Sequence, residues 1–325
     1  MILNIIPKKG EYADCRQHLL ITVSEWWNRR YELLFVKSCN FDFVMDNNFK
    51  HKLVGERLVT NRFYAYDYFE EYHGVKVILS DVIESSNKLD TLILKITNNS
   101  PVLISLNSYW TPWNSFAYKK IKANHYCLVI GFNKMDKILY CLDPTYSMET
   151  LKLPFTDFVN GCTKPYVYFE KTNHSKLDTI KIFGEINQTL KNINTKAIKE
   201  FAIEIRDFFD YKKEVIEFPR LSDAPININL VKIIFSHQYL FKGLKYILLA
   251  NLNLTRNMTK IMEDLNNITN YWKMIHNVIS KEYVLYQRNG HMPTIKRISP
   301  IVRELGEREA LFKYNFEQVY QKLIK

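Results

Sequence analysis

The sequence predicts an α+β protein in which an antiparallel sheet is followed by an α-helical C-terminal region. The first observation is a series of short β-prone runs, rich in Val, Ile, Leu, Tyr and Phe, between about residues 30 and 170. The second is that these runs stop near residue 176, where long segments with helical spacing of apolar residues begin. We therefore expect two domains, one over residues 1–172 and a helical one over residues 173–325.

The elements are predicted in chain order. A helix is expected over residues 14–28, where apolar residues from Leu19 to Trp27 recur at helical spacing. The shorter helix DYFEEYHG is expected to end at Gly74. Strands are predicted in the runs ELLFVKSCNFDFVM, VKVILSD, TLILKI, PVLISLNSYW, NHYCLVIGF, KILYCLDP and PYVYFEK. Amphipathic helices fill the second half, interrupted by EFPRLSDAPININ, whose two prolines suggest a linker.

Composition and charge narrow the class of protein. The 325 residues are 47% apolar and 24% charged, a balance typical of globular chains. The net charge is +11, and residues 166–325 contribute +8 of it, with 25 Lys and Arg against 17 Asp and Glu. This excess is either the solvated face of Lys-rich helices or a docking surface for an acidic partner. Nucleic acid is disfavoured because no dense basic run or known binding motif is present.

Motifs that the sequence lacks allow expectations about the cellular location of the protein, its disulfides and its metal sites. No apolar run is long enough to span a bilayer, and the N-terminus lacks a secretory pattern, so we expect a cytoplasmic protein. An odd number of cysteines without CxxC spacing predicts neither a disulfide framework nor a zinc site. The five cysteines are Cys15, Cys39, Cys127, Cys141 and Cys162.

Cys15 stands at the predicted start of the first helix, in YADCRQHLLITVSEWW. Asp14 is a good N-cap for that helix, which puts Cys15 in its first turn. The N–H groups and the dipole at a helix start favour a thiolate and can supply an oxyanion donor. A buried, inert cysteine is the more common alternative.

A base and an orienting group come from NHYCLVIGFNKMDKILYCLDPTYS, which we predict to be an antiparallel hairpin. A loop centred near Lys134 puts His125 opposite Asp143, close enough for the carboxylate to hold the imidazole. The same register puts Cys127 opposite Cys141, most simply as a buried pair. Two residues compete as partners of Cys15, namely His18 on the same helix and Asp42. Cysteine at a helix start, then histidine, then aspartate is the papain-like order.

Several segments together resemble the butirosin-biosynthesis H protein family (BtrH-like), whose N-terminal domain has a papain-like, C39-peptidase-like fold. They are DCRQHLLITVSEWW, YELLFVKSCNFDFVM, PVLISLNSYWTPWNS and NHYCLVIGFNKMDKILYCLDPTY, in family order over roughly residues 10–170. The His-to-Asp-Pro segment is shared with C39-type peptidases. The resemblance implies an acyltransferase that moves an acyl or aminoacyl group from a carrier-protein phosphopantetheine thioester to an amine, in specialised-metabolite biosynthesis.

Carried over to this chain, the resemblance implies that Cys15 attacks the thioester, His125 moves the proton and Asp143 orients His125. It also implies an acyl or peptidyl carrier protein and a small amine acceptor as partners, and no cofactor beyond the carrier's phosphopantetheine. C39 peptidases have a glutamine several residues before the cysteine as an oxyanion donor. This chain has PKKGEYAD there, which argues against simple peptidase chemistry.

An aromatic loop precedes His125 and supplies the predicted substrate-binding residues. Tyr109, Trp110 and Trp113 lie in SYWTPWNS, where they either pack in the core or line an acceptor or pantetheine channel. Asn107 is included with them, although relatives are expected to have an acidic residue there.

Other functions stay open on the sequence alone. With water as the acceptor, the same three residues make a cysteine peptidase or thioesterase, and with an internal nucleophile they make a cyclase. A binding scaffold without catalysis, using the aromatic loop and the basic helices, is the alternative outside enzymes. A homodimer also stays open.

Overall fold

The computed structural model describes residues 1–11, 13–45, 52–60, 63–80, 88–162, 164, 166–251, 255–290 and 295–325. Its α-helices are α1 (Cys15–Trp26), α2 (Tyr66–His73), α3 (Lys88–Thr97), α4 (Phe155–Gly161), α5 (Thr179–Leu190), α6 (Thr195–Asp207), α7 (Pro225–Ala250), α8 (Thr255–Asn289) and α9 (Ile298–Leu323). Its strands are β1 (Asp42–Phe43), β2 (Leu58–Val59), β3 (Val75–Leu79), β4 (Val102–Asn107), β5 (Asn124–Asn133), β6 (Ile138–Asp143), β7 (Ser147–Pro154) and β8 (Val167–Lys171). The predicted α+β class with a helical C-terminal region is confirmed.

The described chain forms two compact units that are discontinuous in sequence. The sheet unit comprises Met1–Tyr31 and Tyr66–Lys176, and the helical unit comprises Glu32–Ala65 and Leu177–Lys325. The sequence placed one boundary at residue 172, whereas these contacts also group Glu32–Ala65 with the C-terminal helices. The division of the protein into domains over residues 1–172 and 173–325 stays a prediction.

The sheet unit is built on a six-stranded antiparallel sheet in the order β3-β8-β4-β5-β6-β7. Strand β4 is buried at five of its six positions, and β5 is buried from Cys127 to Gly131, as expected for central strands covered on both faces. Helix α2 ends before Gly74, which has a φ of +65° and so supplies the left-handed residue predicted at this helix end.

Two strand predictions are wrong, and three elements were missed, among them the two-residue strand β2. TLILKI lies in α3, where Leu92, Ile93 and Ile96 form the buried face, a spacing that fits a helix as well as a short apolar run. The run from Glu32 to Met45 forms a 3₁₀ turn at Glu32–Phe35 and only the two-residue strand β1. Strand β7 and helix α4 were not predicted.

The helical unit packs aromatic side chains between its helices. Phe183 stacks on Phe316 with ring centroids 5.5 Å apart, and Phe41 lies 5.4 Å from Trp272. The predicted linker contains a 3₁₀ turn at Leu221–Asp223 and ends at Ala224. Pro225 occupies the first turn of α7, where a proline costs no hydrogen bond. No helix in the described part of the chain is long and apolar enough to cross a membrane.

Candidate active site

Helix α1 begins with a capping box that places Cys15 at its first residue. The Asp14 side chain accepts a hydrogen bond from the Gln17 N–H at 2.8 Å, and the Gln17 side chain accepts one from the Asp14 N–H at 2.9 Å. This reciprocal pair fixes the direction in which the chain enters the helix. Cys15 is half-buried, and its place at the helix start is the one that the sequence predicted.

His125 and Asp143 are in direct contact. His125 Nε2 donates to Asp143 Oδ2 at 2.6 Å, and Asp143 is completely buried. The pairing register predicted for them is wrong, however, because Leu128 pairs with Leu142 and Val129 with Cys141. The ladder is therefore displaced by two residues from the prediction. A shift of two keeps side chains on the same face of a sheet, so the pair meets diagonally instead of directly.

The two-residue displacement has a local cause. The loop between β5 and β6 is centred beyond Lys134, since Asn133 pairs with Ile138. The pairing next to the loop is therefore three residues from the predicted register, and an irregularity between Val129 and Gly131 moves it back by one. Neither feature has a signal in the sequence that fixes the pairing to one residue.

Asp143 is held by three donors. Oδ2 accepts from His125 Nε2 and also from the indole Nε1 of Trp113 at 2.7 Å, while Oδ1 accepts from the backbone N–H of Thr145 at 3.3 Å. A buried carboxylate needs such donors because it has lost its hydration. Trp113 thus contacts the carboxylate that orients the histidine, a role that its prediction as a substrate-binding residue did not include.

The environment of His125 favours its charged form. Burial lowers the pKa of the imidazole, but the hydrogen bonds to Asp143 and Cys15 and the charges of both outweigh burial and raise the pKa to about 9. Because Nε2 is bound to Asp143, the contact with Cys15 falls to Nδ1. An imidazolium next to a cysteine favours the thiolate, which is the nucleophilic form. His125 is thus hydrogen-bonded to Asp143, and Cys15 lies close enough to the imidazole to help raise its pKa.

Tyr146 covers His125 and was missed by the sequence analysis. Its ring lies edge-on to the imidazole with centroids 5.2 Å apart, and its hydroxyl accepts a hydrogen bond from Asn114 Nδ2 at 2.7 Å. About half of the Tyr146 side chain is exposed. Its position three residues after Asp143 was the available signal, because the strand ends there and its turn returns toward His125.

Arg16, directly after Cys15, is a second neighbour that the sequence analysis missed. Its Nη2 donates to the Tyr66 hydroxyl at 2.6 Å, and its guanidinium lies 5.5 Å from the ring centroid of Tyr126. Tyr126 is adjacent to His125 in the sequence. A fixed positive charge therefore flanks the helix start that carries the cysteine.

The other predicted binding residues lie in the loop after β4. Asn107 Oδ1 accepts from the Tyr109 N–H at 3.0 Å and so caps a 3₁₀ turn at Ser108–Trp110. Tyr109 and Trp110 pack edge-to-face, with ring centroids 5.2 Å apart. Their role in binding substrate stays a prediction.

The competing partners of Cys15 have contacts of their own. His18 Nδ1 accepts a hydrogen bond from the Gly10 N–H at 3.0 Å, and burial lowers the pKa of this imidazole. Asp42 lies in the helical unit, where its Oδ1 accepts from Asn194 Nδ2 at 2.9 Å.

Cys127, Cys141 and Cys162 are fully buried in the sheet unit. A hydrogen bond with Cys141, together with burial, raises the pKa of the Cys127 thiol well above its usual value. Burial raises the pKa of the Cys162 thiol to about 12. The Cys127 and Cys162 thiols are therefore protonated at neutral pH.

A second cysteine–histidine–carboxylate cluster lies in the helical unit. Cys39 lies beside His237, whose Nε2 donates to Glu309 Oε1 at 2.8 Å and whose Nδ1 donates to the Ile233 carbonyl at 2.8 Å. Burial lowers the pKa of His237, but the charges of Cys39 and Glu309 outweigh burial and raise it well above normal. Cys39, His237 and Glu309 are all 0% exposed, so a substrate cannot reach them without opening the helices.

Comparison with known proteins adds a family relationship. Residues 37–173 match the family model described as the Peptidase_C39 like family. The match supports a C39/papain-like relationship. It covers less than half of the chain and includes His125 and Asp143, but it begins after Cys15. No curated protein matches the chain.

No metal-binding cluster of His, Cys, Asp or Glu occurs among the residues that the structure describes. The sequence prediction that neither a metal nor another cofactor takes part stays a prediction.

Proposed function

We propose that this protein is a cysteine-dependent acyltransferase. Cys15 takes an acyl or aminoacyl group from the phosphopantetheine thioester of a carrier protein and passes it to an amine, in specialised-metabolite biosynthesis. The observation that carries the proposal is that His125 is hydrogen-bonded to the buried carboxylate of Asp143 and interacts with Cys15, which raises its pKa. The resemblance to BtrH-like proteins supports transfer to an amine in preference to hydrolysis.

The reaction takes place in two half-reactions. The Cys15 thiolate adds to the thioester carbonyl, and the carbon–sulfur bond to the pantetheine arm breaks as the leaving thiolate takes a proton from His125. The acceptor amine then adds to the acyl-enzyme, gives its proton to His125 and releases the Cys15 thiolate. Asp143 stabilises the imidazolium in each half-reaction. The N–H groups at the start of α1 offer donors to the oxyanion.

Thioester exchange needs little driving force, so the enzyme mainly supplies position and oxyanion stabilisation.

Lys199, Lys245 and Lys281 are exposed on the C-terminal half and offer positive charge to an acidic carrier. Replacing them with glutamate is expected to slow turnover with a carrier-bound substrate. Turnover with a free acyl-pantetheine thioester serves as the control and is expected to stay constant.

A cysteine peptidase is the second candidate, because the family match is to a peptidase-like family. The two functions differ in what releases the acyl group from Cys15. Wild-type enzyme loaded with an acyl group is incubated with and without a primary amine, and amide and free acid are quantified by mass spectrometry. A transferase gives mainly amide and little acid without amine. Release of free acid at the same rate in both conditions supports hydrolysis.

A further inference from the structure

The ammonium group of Lys119 lies among three aromatic rings of the loop after β4. Its Nζ is 3.3 Å from the ring centroid of Trp110, 4.9 Å from that of Tyr118 and 5.5 Å from that of Tyr109. A cation within about 6 Å of a ring centroid is attracted by the negative face of the ring. The three rings therefore act together on one cation.

A buried carboxylate completes this arrangement. Asp157 Oδ1 accepts from Lys119 Nζ at 3.0 Å, and Oδ2 accepts from the Tyr118 hydroxyl at 2.9 Å. Asp157 is only 5% exposed, so its charge needs a cation beside it. We refer to Tyr109, Trp110, Tyr118 and Asp157 as the ammonium cage.

The residues of the ammonium cage are held by tighter packing than Lys119, which occupies the cage. Trp110 packs against Gly161, where an added Cβ would come within 2.6 Å of the Trp110 Cβ. Lys119, by contrast, keeps 38% of its side chain exposed, and its backbone has a φ of +56°. This left-handed conformation costs a lysine about 1 kcal/mol. Lys119 therefore has an exposed stem and a strained backbone, while the carboxylate that it neutralises is buried.

We propose that the ammonium cage is a binding site for a primary ammonium group on an alkyl chain, which Lys119 fills when no ligand is bound. Binding requires no chemistry at Cys15, so the inference goes beyond the proposed function. The same loop carries Trp113, whose indole donates a hydrogen bond to Asp143. A ligand in the cage therefore contacts the loop that also contacts the candidate active site.

The tethered side chain competes with any free ligand. A group linked by a short flexible segment has an effective concentration in the millimolar range, so wild-type protein is expected to bind a simple amine weakly. Removing the Lys119 ammonium abolishes the competition and leaves the Asp157 carboxylate without its cation. Lys119→Gly does this without strain, because glycine adopts a positive φ readily.

The test is a titration with n-butylammonium chloride, monitored by calorimetry and by the thermal unfolding midpoint. We expect Lys119→Gly to bind at least tenfold more tightly than wild type and to gain thermal stability as the ligand is added. The double variant Lys119→Gly, Asp157→Asn is expected to lose this binding. 1-Butanol, which lacks the charge, is expected not to bind either.

Lys137→Gly is the matched control. Lys137 has a φ of +53° in an exposed turn, so the substitution makes the same backbone change away from the cage. This variant is expected to bind n-butylammonium no better than wild type. The proposal is overturned if Lys119→Gly binds no more tightly than wild type, or if 1-butanol binds equally well.

Wild-type protein offers a second measurement that does not depend on the folding of a variant. A ligand in the cage displaces Lys119 into solvent. The side-chain methylene resonances of Lys119, which lie beside the ring of Trp110, are therefore expected to move toward the NMR shifts of an exposed lysine as n-butylammonium is added. Unchanged resonances at saturating ligand contradict the proposal. Nα-acetyl-lysine amide, tested beside n-butylammonium, distinguishes a lysine side chain of a protein from a free alkylamine as the ligand.

Discussion

One carboxylate oxygen, Oδ2 of Asp143, accepts hydrogen bonds from both His125 and Trp113. The indole restrains the same carboxylate oxygen that binds the imidazole, which has to be oriented during proton transfer. A hydrogen bond to a charged group contributes about 1.5–3 kcal/mol. Trp113 is therefore a positioning residue in this account, acting through Asp143 and His125.

Trp113→Phe is expected to keep the aromatic packing but to remove the N–H. The carboxylate oxygen then interacts with His125 alone, so the pKa of His125 is expected to rise, and the rate of acyl transfer to fall about tenfold. The pH dependence of Cys15 alkylation and the transfer rate are measured together. Trp26→Phe, at a tryptophan that stacks on Trp27, is the control. A change in rate without any shift of the pH profile contradicts the positioning role.

The charge on His125 predicts a dependence of stability on pH. Its pKa is about 9 in the folded protein, above the value of about 6.5 in an unfolded chain. The stabilisation is therefore fully present below pH 6.5 and is lost as the pH rises through 9. The loss is on the order of 3 kcal/mol.

Urea unfolding of wild type and His125→Gln at several values between pH 6 and pH 9.5 measures this contribution. The wild type is expected to lose more unfolding free energy over that interval than the variant. Equal losses in the two proteins would mean that His125 carries no raised pKa.

The contact between His125 and Asp143 could be predicted because alternation along a strand fixes the face of each side chain. The predicted register was wrong by two residues. A shift of two residues leaves each side chain on the same face of the sheet, so His125 and Asp143 still meet. Trp113 and Tyr146 could not be placed in this way. They reach the site from irregular loops, whose path depends on packing contacts rather than on a sequence period.

At the scale of elements, helix α1 connects stability with reactivity. The sequence analysis predicted Asp14 as the N-cap of this helix. It did not predict that the Gln17 side chain completes the capping box. The helix start holds Cys15 where it meets His125, so weakening the cap is expected to disturb both the helix and the thiol.

Asp14→Ala is expected to cost about 1 kcal/mol of unfolding free energy and to slow iodoacetamide alkylation of Cys15 several-fold. Asp178→Ala is the matched control, because Asp178 caps α5 through the same kind of bond, to the Lys181 N–H at 3.0 Å. This variant should lose similar stability while Cys15 keeps its reactivity. Equal slowing in both variants would show that general destabilisation, and not the position of the helix start, controls the thiol.

The elements that were mispredicted share a physical reason. TLILKI is short, apolar and rich in β-branched residues, and its burial pattern is decided by the surfaces that it packs against in α3. Strand β7 was missed because its residues are largely exposed at the edge of the sheet, where no apolar alternation is needed. Long helices such as α7 and α8 were predicted because their apolar spacing extends over many turns.

At the scale of the whole molecule, the change from strands to helices was visible in the sequence, but the path of the chain between the two units was not. Glu32–Ala65 interrupts the sheet unit and packs within the helical unit, where the Arg57 guanidinium binds Glu204 at 2.8 Å and lies over the Phe43 ring. Only tertiary contacts assign such a segment, because its apolar composition suits either unit.

The central claim is that Cys15 forms a covalent acyl-enzyme. Intact-protein mass spectrometry after mixing with an acyl-pantetheine thioester tests it most directly, with wild type, Cys15→Ala, His125→Ala and, as a thiol control, Cys162→Ala. We predict a mass gain of one acyl group in wild type and Cys162→Ala, slower gain in His125→Ala and none in Cys15→Ala. No adduct with any of several acyl groups, or an adduct that persists in Cys15→Ala, contradicts the account.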